Sequence, residues 1–128
     1  MPCTTRSRRC RKSPRTWRKK WAWDPRWLNN AARAYIPDGQ DTEAAEVTIA
    51  DNLVLRVASP RFLLAMKLAA GRDRDIPDIA VLCRALDINT AEAAVDVAVE
   101  LYGEHSMQLS NRDDLLLVAQ EALDSASN

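Results

Sequence analysis

The stretch SPRFLLAMKLAAGRDRDIPD, Ser59 to Asp78, constrains the chain most. It joins a capped helix, a charged break and the acidic start of a second helix, so it fixes a helical corner. Ser59 suits an N-cap and Pro60 the first helical position, where a missing N–H costs nothing. Phe62, Leu63, Met66, Leu68, Ala69 and Ala70 lay an apolar helix against a core, with Lys67 the one charge in that run. Gly71 stops the helix. Arg72, Asp73, Arg74 and Asp75 then alternate in sign. Asp75 is expected to cap the next helix, with Asp78 in its first turn, where a carboxylate suits the macrodipole.

The flanking chain can be read the same way. Asp24 and Pro25 open a helix expected over 25–35, ended by Pro37, Asp38 and Gly39. Val47 to Ile49 and Leu53 to Ala58 read as strands around an Ala50-Asp51-Asn52 turn, an antiparallel hairpin at about 46–58. Leu53, Leu55 and Val57 share one face, and Val54, Arg56 and Ala58 the other, which suits an antiparallel hairpin on the edge of a sheet. Such an edge invites another strand, so self-association is expected. Helices follow near 60–71, 76–86, 90–102 and 111–124. Asn89 opens a capping-box-like NTAE, Gly103 is a stop, and Ser110 is the cap of the last helix. Residues beyond Asp124 are expected to fray. The fold class is α+β, helix-rich, with one short hairpin.

Composition matters for what it excludes. One domain of 128 residues with 47% apolar content holds one modest core. The formal charge of zero hides a split: residues 1–20 carry nine of the eighteen basic residues and no acid. Cys3, Cys10 and Cys83 show no paired metal spacing, and Cys83 reads as a buried thiol in an apolar helix. A lone histidine, His105, rules out a histidine-rich metal site. No apolar run approaches the ~18 residues of a membrane span, which points to a cytoplasmic protein.

The segment RVASPRFLLAMKLAAGRDRDIPDI, Arg56 to Ile79, and the upstream RWLNNAARAYIP, Arg26 to Pro37, carry a resemblance. They are similar to the C-terminal half of the bacterial minimal nucleotidyltransferases, a group that includes abortive-infection toxin enzymes. The likeness spans roughly residues 24–105 and holds in order and spacing. It implies metal-dependent nucleotidyl transfer, with Lys67 and Arg72 as the nucleotide-binding residues and Lys67, Asp75 and Asp78 as the catalytic group, an aspartate orienting the lysine. A complete member uses Mg2+ and a nucleoside triphosphate, bound by a Gly-Ser or Gly-Gly turn and an Asp-x-Asp pair. Here no glycine precedes Gly39 and no aspartate precedes Asp24. The expectation is therefore a partial domain over 24–124, with no metal ligands, no cofactor of its own and no activity as it stands. A toxin–antitoxin setting implies an antitoxin as partner.

Two readings of Lys67 stand side by side. It snorkels from the edge of the core, or its ammonium meets a triphosphate as a point charge. Arg72 is either a second phosphate contact or a surface ion pair of little worth.

Residues 1–23 admit four readings. They form a nucleic-acid-binding arm with basic and aromatic side chains, a targeting leader without a signal-type apolar core, a disordered tail, or an out-of-frame translation. The last rests on tryptophan's single codon. Shifting the frame of Arg15 to Trp23 forces apolar residues at Trp17 and Trp21, one helical turn apart. The alternative function that goes with the first reading is a non-catalytic nucleic-acid- or protein-binding module using the basic arm.

Overall fold

The computed structural model describes residues 30–128, and residues 32–128 form one compact unit. The leader readings at 1–23 and most of the helix expected over 25–35 lie outside the described residues. Within them, Ala31–Tyr35 is a short 3-10 turn.

Helix α1, Pro60–Ala70, forms as its caps dictate. Ser59 Oγ accepts the Phe62 N–H at 3.2 Å, and Gly71 ends the helix in the left-handed region at φ 58° and ψ 35°. Its buried side is Phe62, Leu64, Ala65, Leu68 and Ala69. This corrects the apolar assignment made from the sequence, because Leu63, Met66 and Ala70 are only half-buried. A run apolar nearly all round does not reveal its inner stripe. Here the stripe follows the 64/65/68/69 positions, at i, i+1, i+4 and i+5.

Helix α2 spans Ile76–Ala85, α3 Ala91–Tyr102 and α4 Arg112–Ser127. Three caps differ from those expected. Asp75 sits at the N-cap of α2 but makes no side-chain capping bond. Thr90, not Asn89, caps α3 by accepting the Ala93 N–H, and Asn111, not Ser110, caps α4 by accepting the Asp114 N–H. At α3 and α4 two adjacent residues were both good caps, and the backbone chose the second. Helix α4 also continues beyond Asp124 to Ser127, where Ser125 and Ser127 hydroxyls donate to the carbonyls of Ala122 and Leu123.

The four helices pack with α1 against α3, α2 against α4, and both α3–α4 and α1–α2 in contact. Leu64, Leu68, Ile79, Val95 and Cys83 are its largest fully buried side chains. Half of the sixteen buried apolar residues are alanines, so little side chain separates the helix backbones. Burial pushes the Cys83 thiol above its ordinary pKa, which keeps it protonated and unreactive. Cys3 and Cys10 lie outside the described residues. No helix among the described residues is long and apolar enough to cross a membrane.

Strands β1, Ala45–Ala50, and β2, Leu53–Val57, pair antiparallel, with Glu46 opposite Arg56 and Val47 opposite Leu55. A tight two-residue turn of the favoured kind needs positive φ at both central residues. Neither Asp51 nor Asn52 has it, and the ladder instead slips at Ile49. The edge-of-sheet expectation requires one correction. Among the described residues the sheet has two strands and no further neighbour, and every residue of both is exposed, so both faces are bare. With helices and hairpin together, the fold is a small α+β unit.

Candidate functional site

The helical corner places its charges by backbone geometry. After Gly71, Arg72 is extended at φ −93° and ψ 134°, and Asp73–Asp75 make one 3-10 turn closed by the Asp75 N–H donating to the Arg72 carbonyl at 2.9 Å. That turn brings the start of α2 back beside the last turn of α1. Lys67, in that last turn, reaches across.

Its ammonium donates to Asp75 Oδ1 at 2.9 Å and to Asp78 Oδ2 at 2.8 Å. Asp75 is therefore not idle as a cap; its carboxylate has gone to Lys67. Arg72 Nε lies 3.7 Å from Asp75 Oδ2, a looser ion pair. The four residues singled out from the sequence, Lys67, Arg72, Asp75 and Asp78, thus form one cluster. Burial works against the Lys67 charge, but the hydrogen bonds it donates to Asp78 and then Asp75 outweigh it and hold the ammonium's pKa above its ordinary value.

Exposure separates the members. The Asp75 side chain is 12% exposed and that of Lys67 21%, whereas that of Asp78 is 60% exposed. Asp75 is the inner anchor, and Asp78 closes the pair from the solvent side. An ammonium has three donors, and two are engaged here.

A cavity of about 130 Å³ opens beside this cluster, lined by Lys67, Arg72, Asp75, Leu63, Met66, Ala70, Ala32 and Tyr35. The half-buried apolar side of α1 makes its wall. No hairpin residue lines it. Tyr35 forms part of the wall, with the Arg72 guanidinium 5.3 Å from its ring centroid.

Tyr35 was not singled out in the sequence, nor were the groups that hold it. Its carbonyl accepts the Tyr102 hydroxyl, and Gln108 Nε2 donates to the carbonyls of Ala34 at 3.1 Å and Ile36 at 3.3 Å. Burial pushes the Tyr102 hydroxyl up to about 12, so it remains a donor at neutral pH. These partners are 67 to 74 positions apart, and no local pattern could have shown them.

A second, larger cleft of about 410 Å³ lies at the base of the hairpin, between Phe62, Ile36, Arg56 and Asp41. Its carboxylate is already committed. Asp41 accepts the Ser59 N–H at 2.7 Å and the Ser59 hydroxyl at 2.8 Å, while its carbonyl accepts from Arg56 at 2.9 Å. Burial opposes the charged form, yet these bonds from Ser59 keep the Asp41 pKa below its usual value.

The carboxylates present do not fit a divalent cation. Asp75 and Asp78 share an ammonium between them, and no group of three His, Cys, Asp or Glu among the described residues could hold a metal. His105 is exposed in the loop before α4. No family model, no curated protein and no solved structure matches the chain.

Proposed function

We propose that the described residues form the phosphate-holding part of a nucleotidyltransferase-like domain, without the metal-binding carboxylates that the transfer reaction needs. The carrying observation is the Lys67 ammonium set between Asp75 and Asp78, next to Arg72, at the mouth of a cavity. A phosphate oxygen would take the third ammonium donor and the solvent side of Arg72. The exposed Asp78 carboxylate is the one readily displaced, while Asp75 continues to orient the lysine. About 130 Å³ is small against the ~300 Å³ at which pockets for whole ligands begin, so this site suits a phosphate group and not a nucleoside.

Phosphoryl chemistry of this kind depends on cations bridging the phosphates. No step is assigned to a metal here, because the residues present do not fit one. The chain on its own is read as inactive in transfer. A cytoplasmic setting, a toxin–antitoxin role and an antitoxin as partner go with this reading.

A second reading follows from the same distances. A lysine already paired with two aspartates of its own chain serves as a clamp across the helical corner, in a non-catalytic binding module. Titration with inorganic tripolyphosphate, followed by amide chemical shifts, separates the two. Binding that shifts residues 67–78 and disappears in Lys67→Ala and Arg72→Ala supports the first. Shifts unchanged by either substitution, or no shifts there at all, leave the clamp.

A further inference from the structure

We propose that two copies of this chain pair through the outer edge of β2, antiparallel about a two-fold axis at Leu55, to make one four-stranded sheet. This stands apart from the reading of the Lys67 cluster. A hairpin of two strands with both faces in water is marginal alone and gains from further strands. Leu53, Val54, Leu55 and Val57 are each about half-exposed, between 47% and 55%.

The two edges of this hairpin are not equivalent. The β1 edge is guarded: its ladder slips at Ile49, Glu46 sits within it, and Glu43 precedes it. Bulges and charges of this sort keep an edge from pairing. The β2 edge has no such guard. It carries one charge, Arg56, which is drawn back to the Asp41 carbonyl at 2.9 Å. Among the described residues no backbone group of another element pairs with it. Pairing β2 with its own copy closes at two chains, because only guarded edges remain outside.

Register follows from the side chains. Strand partners directly opposite one another share a face, so a two-fold must pass through a residue to keep apolar face with apolar face. An axis at Arg56 sets two guanidinium groups against each other, which is unfavourable. An axis at Val54 leaves part of β2 beyond the overlap. The axis at Leu55 pairs the whole of Leu53–Val57 with itself. It sets Leu55 against Leu55 and Leu53 against Val57 on one face, and Val54 against Arg56 on the other. The contact is short, about 17 Å of strand at ~3.3 Å per residue. A contact of five residues per strand is expected to bury less than the ~1,200 Å² of stable complexes, so the dimer is dependent on concentration.

The test is sedimentation of the full chain with cysteine cross-linking, in a background where Cys3 and Cys10 are serine. Facing residues across an antiparallel pair have Cα atoms about 4.5–5.5 Å apart, within disulfide reach. Leu55→Cys is expected to form an interchain disulfide on mild oxidation, at least tenfold faster than Val54→Cys or the exposed helix control Val81→Cys. Leu55→Lys, at an exposed site, is expected to keep the helical circular dichroism and remain monomeric at concentrations where the parent chain dimerises. A parent chain monomeric from ~10 to ~300 µM, the span in which so small an interface would act, overturns the proposal. So does equal cross-linking at Leu55 and Val81, or faster cross-linking at Val54.

Discussion

Asp75 stands at the N-cap of α2 and gives its carboxylate to Lys67, eight residues earlier, at 2.9 Å. The helix loses a cap, and the corner between α1 and α2 gains a charge-assisted bond that only folded chain can make. Removing the lysine should therefore cost more than removing the outer aspartate. Lys67→Met leaves a mostly buried carboxylate without its ammonium, and a loss of about 1–3 kcal/mol is expected in urea unfolding. Asp78→Ala should cost under about 0.5 kcal/mol, as an exposed partner does. Equal losses would show that the two bonds are not inner and outer.

The Lys67 ammonium's pKa is raised on folding above the ordinary 10.5. A group raised in the folded state contributes stability that is fully present below the unfolded value and lost as pH rises through the folded one. The gap in stability between the parent chain and Lys67→Met is thus expected to hold at neutral pH and to close above pH 10.5. Denaturant titrations at pH 7 and at strongly alkaline pH check this; a gap that widens there contradicts it.

Asp41 is the opposite case. Its pKa falls below the ordinary 3.8 through its bonds from Ser59, so its contribution is present above that value and lost as pH falls through the folded one. Asp41→Asn should lower the melting temperature at pH 7, and the difference should shrink toward zero in acid below 3.8. Ser59→Ala removes the α1 cap and the hydroxyl bond to Asp41 together, while the backbone N–H bond to Asp41 remains, so it should cost about 1–2 kcal/mol.

Two helix ends carry a left-handed φ on different residues. Gly71 has φ 58° and Asp87 has φ 55°. A Cβ at Gly71 meets only the Leu68 carbonyl oxygen, at 3.9 Å, so steric contact adds little. Gly71→Ala should cost about 1–2 kcal/mol from the left-handed backbone alone. Asp87→Gly should stabilise by up to about 1 kcal/mol for the same reason with the sign reversed. Thermal melts of the pair should move in opposite directions.

The helical corner was legible because its signals are local: Ser59-Pro60 at one end, Gly71 at the other, alternating charges between. Sign alternation alone could not say that Asp75 would leave its cap for Lys67. That choice depends on the 3-10 turn at Asp73–Asp75, which shortens the way back to α1. The hairpin's strands showed in their alternation, but period two reports that a strand has two faces, not whether anything lies on either. Tyr35 stayed hidden because its role is set by Tyr102 and Gln108, far along the chain. The paired caps, Asn89 or Thr90 and Ser110 or Asn111, differ by one residue, finer than side-chain type can resolve.

Half of the buried apolar residues being alanine has a calorimetric consequence. Methyl side chains bring little apolar surface out of water, and the heat-capacity change of unfolding scales with that surface. The hairpin, exposed on both faces, adds almost none. The unfolding of this chain should therefore carry a smaller heat-capacity increment per residue than the ~12–15 cal/mol/K of ordinary domains, and a correspondingly flatter stability curve. Such a chain changes its stability slowly with temperature and meets its melting point by a shallow approach.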